Sequence, residues 1–98
     1  MALLALSACN QENENLTRAT SAHPEGRIVF DQYNCGRCHE GGEGGLGKRL
    51  VGNEALKDIG YVRSRIRDGK GAMPAYPQLS EEELADVSAF VRTLAGWE

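Results

Sequence analysis

The feature that most constrains this chain is a short run, Cys35-Gly36-Arg37-Cys38-His39, which gathers two thiols and an imidazole. With 98 residues there is room for one domain and a modest core. Chains of this size commonly need a disulfide, a metal or a prosthetic group to complete their folding. The three cysteines are an odd number, so a plain disulfide framework does not account for them.

Cys-x-x-Cys-His is the spacing at which a c-type haem is attached. Two thiols at a fixed short separation reach two vinyl groups on one porphyrin edge. The histidine that follows at once can coordinate the iron from one face. Two other readings compete. A thioredoxin-like redox pair wants a strand–helix–strand setting, and this sequence has no alternating strand pattern. A four-ligand zinc site wants a second Cys/His pair, and the remaining candidates are Cys9 and His23. One covalent haem c on Cys35 and Cys38, with His39 on its iron, is the expectation.

The sixth iron position has two candidates. A methionine thioether is the usual partner of histidine in an electron carrier and raises the potential. Of the two methionines, one is Met1 and the other is Met73. Met73-Pro74-Ala75-Tyr76-Pro77 follows Gly69 and Gly71, and each proline disfavours helix at the residue before it. The segment therefore reads as an irregular loop that presents a side chain. Met73 as core filler is the plainer alternative. His23, in a polar stretch beside Pro24, is the rival ligand. The loop setting favours Met73. Iron closed on both faces has no site for oxygen or substrate, so a carrier is expected rather than an enzyme.

The N-terminal stretch carries a different signal. Residues 1–8, MALLALSA, are apolar and small, and Leu6-Ser7-Ala8-Cys9 looks like a bacterial lipobox, whose cysteine is acylated. The stretch is shorter than a signal peptide and has no basic residue before Cys9. The expectation is a start upstream of Met1, a signal-peptide remnant over 1–8, and a lipid anchor at Cys9 with a flexible tether over 9–24. Such a tether spans roughly 20 Å on average. That places the protein on the periplasmic or other extracytoplasmic side of a bacterial membrane, anchored through the lipid. No apolar run reaches membrane-spanning length. A net charge of −3 gives no bulk attraction to nucleic acid.

The domain over 25–98 reads as all-α with long loops. Ile28, Val29, Phe30 and Tyr33 mark a short helix leading into Cys35. A glycine-rich stretch, Gly41 to Gly47, is a loop. Leu56, Ile59, Val62 and Ile66 recur at helical spacing, and Gly69 and Gly71 end that helix. Ser80 and Glu83 form a capping box. Leu84, Val87, Phe90, Val91 and Leu94 are the buried stripe of a last helix.

From Gly26 to the C-terminus these residues resemble the class I cytochromes c, the small bacterial members especially. The resemblance implies three to four helices around one haem. It implies that Gly26 permits a close crossing with the last helix, with Phe30, Val87 and Phe90 beside it, and that Met73-Pro74-Ala75-Tyr76 is the methionine loop. Leu50-Val51-Gly52 resembles the segment after the haem-binding turn. The family usually has a proline two residues before that leucine, whose carbonyl steadies the ligating imidazole; here Lys48 stands there.

The implied role is transfer of single electrons between respiratory or photosynthetic complexes by transient contact with redox partners. Those partners are a quinol-oxidising complex and a terminal oxidase, or a dehydrogenase if the chain is its haem subunit. A gas-sensing or peroxidase-like protein would need an open iron. Residues 48–70 carry a net +4 and residues 71–98 a net −4, a dipole that can orient docking. Arg49, beside the haem loop, is the candidate contact for a haem propionate.

Overall fold

The computed structural model describes residues 14–39, 42 and 49–97. The signal remnant, Cys9 and Lys48 lie outside them. Four α-helices are described: α1 (Glu14–Ala22), α2 (Pro24–Gln32), α3 (Ile59–Asp68) and α4 (Glu81–Leu94). Tight turns of 3₁₀ type occupy Cys35–Arg37 and Glu54–Lys57. Among the described residues the only β-type pairing is one isolated bridge, Lys70 with Met73. The all-α class is as the sequence predicts.

Helix α4 is the centre of the fold, and α1, α2 and α3 all pack against it. Its predicted stripe, Leu84, Val87, Phe90, Val91 and Leu94, is buried. The capping box forms: the Glu83 amide donates to Ser80 Oγ at 3.0 Å, and the Ser80 amide donates to Glu83 Oε1 at 3.0 Å. Two of the helix's unpaired amides are thereby answered at its solvent end.

The α2–α4 crossing depends on Gly26. A Cβ there would stand 2.2 Å from the Asp86 carbonyl oxygen and 2.5 Å from Phe90 Cβ. No larger residue fits without moving a backbone. One turn on, the rings of Phe30 and Phe90 meet at 5.1 Å with a 54° tilt.

Two sequence expectations are corrected. The apolar spacing predicts one helix through Leu56, Ile59, Val62 and Ile66. The structure breaks it at Asp58, whose carboxylate accepts from the Gly60 and Tyr61 amides at 2.9 and 3.4 Å. That cap starts α3 from an extended residue, so the phase of the stripe is lost. Leu56 is buried on its own 3₁₀ turn, while Ile59 is 42% exposed.

The second correction concerns the tether. Part of it, Glu14–Ala22, is helical, with Leu16 and Ala19 buried against the core. Two apolar residues three apart, one of them only a methyl, are too sparse to show as a period in a polar stretch. His23 joins α1 to α2: its amide donates to the Ala19 carbonyl at 2.8 Å, and its carbonyl accepts from the Arg27 amide at 3.1 Å. The Arg27 guanidinium reaches back to Thr20 Oγ1 at 2.9 Å.

Candidate haem site

The motif sits where α2 ends. The Tyr33 amide still donates to the Val29 carbonyl, at 3.0 Å, and Asn34 then takes a left-handed conformation, φ 60°. Asparagine tolerates that region better than most residues. The reversal starts the turn at Cys35, whose carbonyl accepts from both the Cys38 amide (3.3 Å) and the His39 amide (3.0 Å). Both thiols and the imidazole thus share one turn. Gly36 rests on the core side, where a Cβ would come 3.4 Å from Phe30 Cε2.

Cys35 is half-buried and Cys38 exposed, and neither is in a disulfide. Burial pushes the Cys35 thiol up to about 11, overriding the backbone hydrogen bond that favours its thiolate; Asp31 and Cys38 push the same way as burial. A thioredoxin-type nucleophile needs the opposite shift. Nor do three or more His, Cys, Asp or Glu side chains gather as an ion site among the described residues.

The chain leaving the motif is tied to α4. The His39 carbonyl accepts from the Gly42 amide at 3.0 Å, and the Gly42 carbonyl accepts from Leu50 and Val51 at 2.8 and 2.9 Å. Gly42 has φ +80°, and a Cβ there would meet Leu94 Cγ at 2.9 Å. Beyond it the Gly52 amide donates to the Ala95 carbonyl at 2.8 Å, and the Trp97 indole to the Asn53 carbonyl at 2.9 Å. The base of the glycine loop is therefore held firmly by the end of the last helix.

The methionine loop is held from the other side. Lys70 and Met73 exchange backbone hydrogen bonds at 3.1 and 3.0 Å. Gly69 (φ +73°) ends α3, and a Cβ on it would lie 2.7 Å from the Met73 carbonyl oxygen. The Tyr76 amide donates to the Ile66 carbonyl at 3.0 Å, docking the loop on α3. Met73 is half-buried on the apolar cluster that also receives Cys35, Tyr33 and Tyr76. Tyr33 and Tyr76 meet edge to face at 6.0 Å. The Tyr76 hydroxyl is held above its ordinary range by burial and then by the sulfurs of Cys35 and Cys38, so this ring stands beside the motif.

The rival ligand is elsewhere. His23 lines a cleft of about 490 Å³ with Lys57, Ile59, Ala89, Arg92 and Thr93, none of them from the motif or the methionine loop. Arg49 is exposed at the base of the glycine loop, and its Nε–H donates to the Val51 carbonyl at 3.2 Å. The tyrosine pair was not foreseen as a unit. Its signal was there in Tyr33-Asn34-Cys35 and in Met73-Pro74-Ala75-Tyr76, two motifs that each end or begin on an aromatic.

Residues 21–91 match the family described as cytochrome c oxidase, cbb3-type, subunit III. The chain is 33% identical over 80 residues to cytochrome c6 of Cyanidium caldarium, covering 74% of this chain and 72% of the relative. It is 35% identical over 81 residues to cytochrome c6 of Petalonia fascia, covering 74% of this chain and 94% of the relative. Cytochrome c oxidase subunit 2 of Alkalihalophilus pseudofirmus is 32% identical over 85 residues, covering 71% of this chain and only 25% of that protein. No described helix is long and apolar enough to cross a membrane. The all-α fold around a Cys-x-x-Cys-His turn and these likenesses agree, and the chain belongs to the class I c-type cytochromes, haem c electron carriers with one covalently bound, iron-containing group.

Proposed function

We propose that this protein carries single electrons on a haem whose iron is held by His39 and Met73 and whose vinyl groups are bonded to Cys35 and Cys38. The observation that carries this reading is the apolar wall around the Tyr33–Tyr76 contact at 6.0 Å, which sets the segment after Met73 beside the helix end that leads into Cys35, with His39 in the turn that Cys35 begins. Cys35 and Cys38 would supply the two thiols for thioether attachment, a linkage that needs no oxidant because thiol and vinyl together already hold its atoms and electrons. When bound, the haem supplies the one-electron iron couple. The chain's part would be to hold the iron through His39 and Met73 and to keep those two side chains still. His39 is fixed through its backbone on the Cys35 carbonyl, and Met73 through its exchange with Lys70. Ligands that barely move between oxidation states make electron transfer fast and leave no coordination site for turnover chemistry.

Arg49 is proposed as an outer contact for a propionate, from its place beside the glycine loop. The donor is a quinol-oxidising complex and the acceptor a terminal oxidase, met at small, weak contacts. The oxidase half of that assignment is supported by the matched family's description and by the oxidase subunit among the relatives. Acylation of Cys9 would keep the domain on the periplasmic side of a bacterial membrane; mass spectrometry of the membrane fraction tests it.

Optical spectra of the purified protein test the haem reading. A sharp reduced α-band surviving acid–acetone extraction is expected, with a red sulfur-to-iron charge-transfer band in the oxidised protein that Met73→Ala abolishes. Haem that extracts freely would overturn the attachment. A charge-transfer band retained in Met73→Ala would remove methionine from the iron.

A further inference from the structure

The two sides of the wall are built differently. On the motif side, Tyr33 ends α2, with its amide on the Val29 carbonyl at 3.0 Å. That helix is locked to α4 by the Gly26 crossing and by the Phe30–Phe90 contact at 5.1 Å. Tyr33 therefore stands on a rigid platform. On the other side, residues 71–78 form a loop in which Gly71, Ala72, Pro74, Ala75, Pro77 and Gln78 are exposed. Met73 and Tyr76 alone in that loop turn inward, both half-buried.

The loop's backbone ties do not reach the motif. The exchange between Lys70 and Met73 closes a turn within the loop itself. The Tyr76 amide is held by the Ile66 carbonyl of α3, and the Leu79 amide by the Tyr76 carbonyl at 3.4 Å. None of these bonds involves α2 or the Cys35 turn. What crosses the wall is the contact of the Tyr33 and Tyr76 rings, 6.0 Å between centres and 79° between planes. Rings in this edge-to-face geometry attract beyond their buried area. Tyr76 lies three residues after Met73, so a ring held at one end of this short, proline-bearing segment restricts the other.

We infer that Tyr33 is a positioning residue for Met73: by clasping Tyr76 it keeps the loop closed against the end of α2 and the thioether on the iron. This rests on the reading of Met73 as an axial ligand. The clasp acts through opening. For a foreign ligand to take the sixth position, Met73 must leave and its loop must swing out, and the Tyr33–Tyr76 contact breaks in that step. The contact therefore sets part of the loop's closed population, and a ligand that binds only the open state reports it. The ring rather than the hydroxyl does this, because an edge-to-face contact needs only the aromatic carbons.

The experiment titrates imidazole into oxidised holoprotein and follows the loss of the sulfur-to-iron charge-transfer band. Tyr33→Ala is expected to keep covalent haem and the band, and to bind imidazole roughly tenfold more tightly than wild type. Tyr33→Phe should bind it as wild type does. Tyr76→Ala should match Tyr33→Ala, and the double variant should bind about as tightly as either, as two halves of one contact do. Leu16→Ala, a cut elsewhere in the core, should leave the affinity unchanged, which separates the clasp from a general loss of stability. Wild-type affinity in Tyr33→Ala, or effects of the two single variants that multiply in the double, overturns the inference. Should Tyr33→Ala fail to mature, Tyr33→Leu keeps the bulk without the ring and carries the same expectation and the same refutation. Wild type without the charge-transfer band would sink Met73 ligation and the role of Tyr33 with it. A band that is present, with an imidazole affinity unmoved by loss of the ring, would sink only the clasp.

Discussion

The α2–α4 crossing and the wall beside the motif share a helix and differ in completeness. At the crossing, protein answers protein: Gly26 closes on Asp86 and Phe90, and Phe90 is fully buried. At the wall, Cys35, Met73, Tyr33 and Tyr76 are only half-buried. One region is finished by the chain alone. The other is left partly open by the described residues. So the crossing belongs to the apoprotein's stability and the wall to the holoprotein's, and each can be broken separately.

The largest break removes the partner. Cys35→Ser with Cys38→Ser leaves no thiol in the motif, and acid–acetone extraction of the product is expected to remove all haem. The half-buried wall then stays wet, and a small chain without its prosthetic group loses most of its cooperative melting transition. Covalent haem in that double variant would contradict the assignment. Met73→Ala is the next break. It should keep the covalent haem, lose the charge-transfer band, bind carbon monoxide when reduced, and cost about 2 kcal/mol from the lost side chain alone. The crossing should not feel it, so helical circular dichroism stays near the wild-type level.

A third measurement asks whether the wall exists before haem arrives. With the Cys35 thiol raised to about 11, roughly one molecule in a thousand carries its thiolate at pH 8. Alkylation of apoprotein at that pH should therefore mark exposed Cys38 well before Cys35, as read by peptide mass spectrometry. The sign follows from the direction of the shift: the Cys35 rate should climb about tenfold per pH unit and level off only above pH 11. Equal labelling at pH 8 would mean that the wall forms only around the haem.

The finished region breaks by overpacking. Gly26→Ala places a methyl where only 2.2 Å separates it from a backbone oxygen. The overpacking cost, at the upper end of about 1–3 kcal/mol for so close a backbone contact, outweighs the helix-propensity gain of about 1 kcal/mol, and a net loss of about 2 kcal/mol is expected in holoprotein thermal melts. The spectrum should not change, because neither His39 nor Met73, the proposed ligands, is among the neighbours that a Cβ at Gly26 would meet. A stable Gly26→Ala protein would show that the two helices separate more easily than their contact suggests.

Legibility in the sequence divides along the same line. Cys35, Cys38, His39 and Met73 could be singled out as candidates because the chemistry proposed for them is local: a fixed spacing in one case, a Pro/Gly loop in the other. Gly26 and Phe90 were readable through the family likeness, which ties them across sixty-odd residues. Two things were hidden. The start of α3 turned on the Asp58 side chain, which competes for amides that periodicity assigns to a continuing helix. Arg65 was one of several bases on a charged helix, and nothing in its neighbours marks it as the one whose Nε is buried. Burial of a single polar atom is a property of packing, not of spacing.

Helix α1 is the other part that composition concealed, and it yields the smallest expected effect. Leu16 is 8% exposed, and a fully committed core leucine costs about 2–5 kcal/mol when cut to alanine. Leu16→Ala should cost less, about 1 kcal/mol, because a short helix holding the core through only Leu16 and Ala19 can undock before the rest unfolds, and local opening caps the loss. The measurement is native-state amide exchange on the holoprotein. Amides of residues 14–22 should lose protection in Leu16→Ala, while those of α4 and the haem spectrum keep theirs. A loss spread through α4 would make α1 an integral third partner of the central helix. Amides over 14–22 that exchange freely even in wild type would return the segment to a tether and leave Gly26 as the start of the cooperative fold.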